Sequence, residues 1–339
     1  MSVRYLPSAI SLQYSEDLLS TLAEELVFSP KELSEAQELV FKGLPPLVRP
    51  EVLAYLFGVS NRFLYSMCSF PEKYYRVYQI KKTGGGTRQI EAPRRFLKLV
   101  QRWINRHILS TQLPPPPITG FVQGKNIFSN AKPHLLNKNL MVLDIEDFFP
   151  SVHRRQIYKI FTSFGYSRKV ANLLTGLCTY DLRLPQGAPT SPSLANLAFK
   201  FIDLALIDLA KSWDCVYTRY ADDIAFSGNM FFSNLEKEGV RRIIEEYGFS
   251  VNERKCRIIG SGGRQMLAEL VVNISGLPLR SKRRSWRAMF HQASMEPSKY
   301  TEKYSFLKGI ASYVNEYNTE LASEYFTIAE KVSELRRSP

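Results

Sequence analysis

The chain has 339 residues, enough for one large or two modest domains with a substantial core. Apolar residues make up 45% of it and aromatic residues are abundant, which excludes general disorder. Forty-five basic residues against 32 acidic ones leave a charge of +13, which points to a polyanionic partner.

Residues 1 to about 70 read as a helical N-terminal extension. The opening stretch Met1 to Ile10 lacks the apolar core of a secretion signal, and no apolar run in the chain reaches the roughly 18 residues of a membrane span. A cytoplasmic protein with no membrane partner is expected. Cys68, Cys178, Cys215 and Cys256 form no Cys-x-x-Cys pair, and read as reduced thiols. Ser29-Pro30-Lys31-Glu32 is a helix start, with Ser29 as N-cap and Glu32 completing a capping box. Gly43 and Pro45-Pro46 end that helix. Glu51 to Met67 has the outline of a helix-turn-helix around Gly58-Val59-Ser60, for which packing is the expected role.

Tyr75 to Lys82 and Thr87 to Glu91 alternate like the strands of a hairpin around Gly84-Gly85-Gly86. A helix from Pro93 to Leu109 follows. Leu97, Val100, Ile104 and Ile108 give it an apolar stripe, and Arg95, Lys98, Arg102 and Arg106 a basic one. Pro114 to Pro117 is a rigid connector.

Leu140-Met141-Val142-Leu143 reads as a strand buried on both faces, and it closes on Asp144. Helical stretches run from His153 to Phe164 and from Pro192 to Trp213. Val216 to Tyr220 and Ile224 to Phe226 then form a tight hairpin with Asp222 and Asp223 at its tip. An amphipathic helix from about Phe232 to Tyr247 and a strand from Phe249 to Ile259 complete the order strand, helix, strand, strand, helix, strand. That order is the split βαβ, or ferredoxin-like, arrangement, in which the Asp144 strand lies beside the hairpin. Adjacent carboxylates repel one another and lose hydration unless cations neutralise them, which points to oxygen-liking Mg²⁺. Asp144, Asp222 and Asp223 together suit two such ions roughly 3.5–4 Å apart, an arrangement used in phosphoryl transfer. Glu146 and Asp147 read as solvated or capping residues.

Three motifs in order carry a family resemblance. Tyr220-Ala221-Asp222-Asp223 is similar to the palm motif of reverse transcriptases, and Leu143-Asp144-Ile145-Glu146-Asp147-Phe148-Phe149-Pro150-Ser151 to their first metal-binding motif. Leu184-Pro185-Gln186-Gly187-Ala188-Pro189-Thr190-Ser191-Pro192 resembles the Gln-Gly segment before the palm helix. Asn130-Ala131-Lys132-Pro133-His134 matches the Asn-Ala-x-x-His motif of bacterial retron reverse transcriptases. The resemblance implies an α+β right-hand polymerase: fingers and a ferredoxin-like palm over 71–273, and a helical thumb over 274–339.

It also implies roles. Asp144 and Asp222 would be the principal metal ligands, with Asp223 assisting and the carbonyl of Ile145 completing a site for two Mg²⁺. The dNTP substrate would meet Gln186 and Gly187, while Arg88 and Arg94 would grip its triphosphate. Phe149 would exclude the ribose 2′-hydroxyl, Phe148 is expected in the core, and Lys255 would assist the departing pyrophosphate. Asn130 and His134 would serve the RNA. Arg280, Lys282, Arg283, Arg284 and Arg287 around Trp286 suit a nucleic-acid backbone with a stacking ring. Tyr300, Tyr304 and Phe306 are open between core and RNA-facing roles.

The implied partners are a cognate structured noncoding RNA, its branched RNA–DNA product primed from an RNA 2′-hydroxyl, and a separate antiphage effector protein. Where family members carry Val-Thr-Gly after the palm, this chain reads Leu267-Ala268-Glu269. The alternatives are a group II intron or diversity-generating reverse transcriptase, or a catalytically idle RNA-binding scaffold. An intron protein is expected to continue beyond the thumb, and an idle site need not keep three acids together.

Overall fold

The computed structural model describes residues 16–81 and 85–337. Met1 to Ile10, and Lys82 and Gly84 of the expected glycine turn, lie outside the described residues. The architecture mixes helix and sheet. Four helices come first among the described residues: α1 (Glu16–Glu25), α2 (Pro30–Phe41), α3 (Pro50–Phe57) and α4 (Asn61–Ser69). Ser29 and Glu32 form the capping box of α2, and Gly58 ends α3 in the left-handed conformation that a Cβ disfavours. The α4 helix packs on α8 (Arg168–Cys178), so the helix-turn-helix outline serves packing.

Strands β1 (Tyr75–Lys81) and β2 (Thr87–Pro93) pair antiparallel and project into solvent, with burial confined to the base of the hairpin. Helix α5 (Arg95–Ile104) follows and runs into a π-helical turn, Asn105–Leu109. A short α6 (Ile127–Ala131) then leads into the central strand β3 (Asn139–Asp144). Between β3 and the hairpin stand three helices: α7 (Arg154–Ser163), α8, and the long α9 (Ser191–Ser212). Two of these, α7 and α9, match the helices expected over His153 to Phe164 and Pro192 to Trp213. Ser167 caps the unforeseen α8, whose residues from Val170 to Cys178 are almost all buried. Its polar side is confined to Arg168, Lys169 and Asn172 in the first turns, which leaves little of a polar stripe to read.

Strands β4 (Val216–Tyr220) and β5 (Asp223–Gly228) form the hairpin, α10 (Asn234–Glu246) crosses back, and β6 (Arg257–Ile259) ends the sheet. The sheet order is β4-β5-β3-β6, antiparallel throughout. The long strand expected over Phe249 to Ile259 is broken. Val251 makes an isolated bridge to Ile145, a 3₁₀ turn at Glu253–Lys255 intervenes, and pairing resumes at Arg257.

Strand β3 reads as continuously apolar because both its faces are covered. Met141, Leu143 and Ile145 enter the main core with the helices, while Leu140 and Val142 join a smaller cluster with Ala131, Ala225, Leu267, Leu270 and Val272. The alternation places Asp144 on the face of Leu140 and Val142. Three short strands, β7 (Met266–Leu267), β8 (Leu270–Val271) and β9 (Leu277–Pro278), lead to the helices α11 (Arg280–Met295), α12 (Tyr304–Asn315) and α13 (Thr319–Arg337). These three helices own a separate core around Phe290, Leu307, Ile310, Val314 and Val332.

Trp286 belongs to that core. It packs edge-on against Tyr313 and is almost fully buried, so the basic cluster around it lacks the stacking ring expected from the sequence. Tyr300 and Tyr304 pack against the same core, whereas Phe306 is exposed.

Candidate active site

The register of β3 against β5 sets Asp144 directly opposite Asp223. Tyr220 pairs with Asp223 across the hairpin, leaving Ala221 and Asp222 as its two-residue turn. Ala221 adopts φ +59°, where hairpin turns usually place Gly, Asn or Asp. The turn seats on Gly120, where an added Cβ would lie 2.1 Å from the Ala221 nitrogen. Ile145 N–H donates to the Asp222 carbonyl at 2.9 Å, tying the turn to the end of β3. The three acids expected from the sequence therefore lie at one end of two neighbouring strands.

Asp144 is buried, and its Oδ2 accepts a hydrogen bond from Lys255 Nζ at 2.7 Å. That bond to Asp144 raises the Lys255 ammonium above its ordinary pKa. Burial pushes the Asp223 carboxyl up to about 6, and the charges of Asp222 and Asp144 push the same way. The site is short of positive charge. Among the described residues no group of three or more His, Cys, Asp or Glu side chains is placed to hold a metal ion by itself. Mg²⁺ needs no such group, since it is commonly held by one or two carboxylates with substrate phosphates and waters. Asp144, Asp222 and the Ile145 carbonyl fit that partial donor set, with Asp223 beside them.

A cleft of about 600 Å³ opens over these groups. Asp144, Ile145, Asp222 and Lys255 line it, together with Phe149, Gln186 and Arg88. Phe149 is half-buried and packs on Phe121 with ring centroids 5.7 Å apart, whereas Phe148 is a core residue.

Three expectations need correction. Arg94 does not line the cleft. Its N–H is bonded to Tyr74 O at the base of the β1–β2 hairpin, and its side chain lines a separate recess with Arg76, Arg95 and Lys98. Gly187, at φ +131°, does not line the cleft and packs closely on β2: an added Cβ would stand 3.2 Å from Glu91 O. Asn130 and His134 are buried. His134 bridges Ser227 Oγ at 2.6 Å and Thr218 Oγ1 at 2.8 Å, and Asn130 Oδ1 accepts from Thr119 Oγ1 at 2.9 Å. Both brace the sheet from within, out of an RNA's reach.

Two cleft residues escaped sequence reasoning. Glu91 is almost fully buried and accepts both arms of the Arg183 guanidinium, at 2.6 and 3.1 Å, along with Gln89 Nε2 and the Gln186 N–H. It thereby fastens the Gln186 loop to β2. The signal was faint: an acid on an alternating strand ordinarily reads as solvated.

Comparison with known proteins agrees with this geometry. A family model described as reverse transcriptase (RNA-dependent DNA polymerase) matches residues 80–295. The retron Mx65 reverse transcriptase of Myxococcus xanthus is 34% identical over 316 residues, covering 86% of this chain and 73% of that protein. The chain belongs to the retron reverse transcriptases. The retron Ec86 reverse transcriptase of Escherichia coli is 35% identical over 221 residues, covering 64% of this chain and 69% of that protein. The retron Mx162 reverse transcriptase of Myxococcus xanthus is 30% identical over 313 residues, covering 80% and 64% respectively. The activity is RNA-directed DNA polymerisation.

In this reverse transcriptase the Leu267-Ala268-Glu269 departure falls at the β7–β8 turn. Ala268 and Glu269 both take positive φ, +46° and +69°, and Glu269 pairs with Lys282 of α11. Among the described residues no helix is long and apolar enough to cross a membrane.

Proposed function

We propose that this reverse transcriptase copies a cognate structured noncoding RNA, primes from a 2′-hydroxyl of that RNA, and leaves a branched RNA–DNA product. That product would serve antiphage defence in the cytoplasm with a separate effector protein. The observation that carries the catalytic part of this reading is the in-register pairing of Asp144 with Asp223 beside the Asp222 turn. The names of the relatives support the retron part.

The reaction is attack of the primer hydroxyl on the α-phosphate of a dNTP, with release of pyrophosphate. When bound, two Mg²⁺ ions supply Lewis-acid stabilisation of the attacking and leaving oxygens. Asp144, Asp222 and the Ile145 carbonyl would hold them, assisted by Asp223. Lys255 would offset charge on the departing pyrophosphate and give it a proton. Phe149 would close the space beside the sugar C2′, and Arg88 and Gln186 would orient the nucleotide. In hand terms, fingers and palm occupy 71–273, the thumb 274–339, and a helical extension 1–70.

The test is to purify the protein with its bound RNA, supply dNTPs and Mg²⁺, and sequence the product. DNA joined to an RNA 2′-oxygen is the expected result. Extension of ordinary 3′ primers alone would favour an intron-type or diversity-generating enzyme, and no extension at all an idle scaffold.

A further inference from the structure

We propose that Arg219 and Asp203, an ion pair sealed beneath the Asp222 turn, are positioning residues that set the geometry of the catalytic acids. The inference rests on the active-site reading given above. Both side chains are fully buried. Arg219 Nε and Nη2 donate to the two Asp203 oxygens at 2.8 and 2.7 Å, and Tyr217 OH donates to Asp203 Oδ1 at 2.7 Å. The remaining arm, Nη1, reaches Asn196 Oδ1 at 3.0 Å and Ala221 O at 2.9 Å.

Ala221 immediately precedes Asp222. Ala221 has positive φ, and its carbonyl is met by the guanidinium from beneath the hairpin. Asn196 in turn donates from Nδ2 to the carbonyl of Gly120, the residue on which the turn seats, at 3.0 Å. Arg219's own carbonyl accepts from Thr119 N–H at 2.9 Å. One cation therefore fixes the turn and the segment beneath it, while α9 supplies the acid and the amide that hold the cation. Phe148 and Phe199 flank the guanidinium with centroids 5.5 and 4.8 Å away, excluding water.

Stability alone does not account for this arrangement. Desolvating two charges is costly, and apolar replacements of similar volume commonly stabilise a fold as well as a buried pair does. The bond that an apolar pair would not replace is the one to Ala221 O. A planar fork is also required, because lysine has no second arm to reach the turn while pairing with Asp203.

The test is the double variant Arg219→Met with Asp203→Leu, which removes both charges together. Thermal unfolding and RNA binding close to wild type are expected. Single-nucleotide incorporation should show kcat lowered at least about tenfold, a dNTP KM within about threefold, and a raised Mg²⁺ requirement for half-maximal rate. A folded double variant with wild-type kcat and Mg²⁺ response would overturn the proposal. Should that variant not fold, Arg219→Lys, which keeps the charge and loses the fork, decides by the same two readouts. Wild-type protein inert with RNA, dNTPs and Mg²⁺ would instead condemn the underlying active-site reading.

Discussion

Lys255 Nζ lies 2.7 Å from Asp144 Oδ2, a contact between residues 111 positions apart in the chain. It joins the 3₁₀ turn before β6 to the end of β3, and Asn252 N–H reinforces it by donating to Asp144 O at 2.8 Å. The bond to Asp144 raises the Lys255 ammonium above its ordinary pKa, which holds a positive charge beside the acids. Lys255→Ala should lower kcat by roughly 10²-fold, the scale of general-acid assistance, with little change in dNTP KM. Rapid-quench incorporation measures both, and an unchanged kcat would remove Lys255 from the chemistry.

The three acids pull stability and activity in opposite directions. Asp222→Asn with Asp223→Asn should cut DNA synthesis by at least about 10³-fold while RNA binding persists. Burial raises Asp223 to about 6, above its ordinary value, so the native state holds its proton more tightly than the unfolded chain does. The wild type therefore loses stability as pH rises from about 4 to 6. In EDTA the melting temperature of Asp223→Asn should exceed that of the wild type by a margin that grows across this window. A margin independent of pH would contradict the burial and repulsion argued for Asp223.

Phe149 packs against Phe121 at the cleft wall. Phe149→Ala should admit ribonucleotides, with dNTP over rNTP selectivity falling by about 10²-fold in competition assays. Discrimination as strict as in the wild type would return Phe149 to an ordinary packing role.

His134 sits between Ser227 and Thr218 with its pKa lowered to about 4 by burial. The unfolded chain takes up this proton at higher pH than the native state, so stability falls as pH drops from about 6.5 to 4, by at most about 3 kcal/mol. His134→Gln should remove that part of the acid sensitivity in urea unfolding at pH 7 and pH 5. Parallel losses in both proteins would show that His134 is not its source.

What the sequence made legible was whatever is written locally. Asp144 stands out because a buried apolar run ends on a charge, and Asp222 and Asp223 because two adjacent acids fall at the tip between two apolar strands. The capping box at Ser29 was equally local. Contacts that depend on tertiary pairing stayed hidden. Glu91 looked solvated until Arg183, 92 residues away, supplied its partner. Arg219 is a strand residue of β4 as expected, but nothing local shows that Asp203 of α9 faces it. Arg94 takes its expected role from the resemblance alone, which does not reveal that it lies at the base of its hairpin, and a basic neighbourhood says nothing about which way the Trp286 ring turns. The Asn-Ala-x-x-His segment was noticed for its pattern, yet its hydrogen bonds run into the sheet.

The last three helices keep a hydrophobic core of their own, apart from the one under the acids. Modules with private interiors can open or tilt without unravelling their neighbours. This bundle still touches α6, where the Phe128 ring meets Tyr313 and Tyr317 and Asn126 bonds Glu316, so a tilt of the last helices is felt first beside β3.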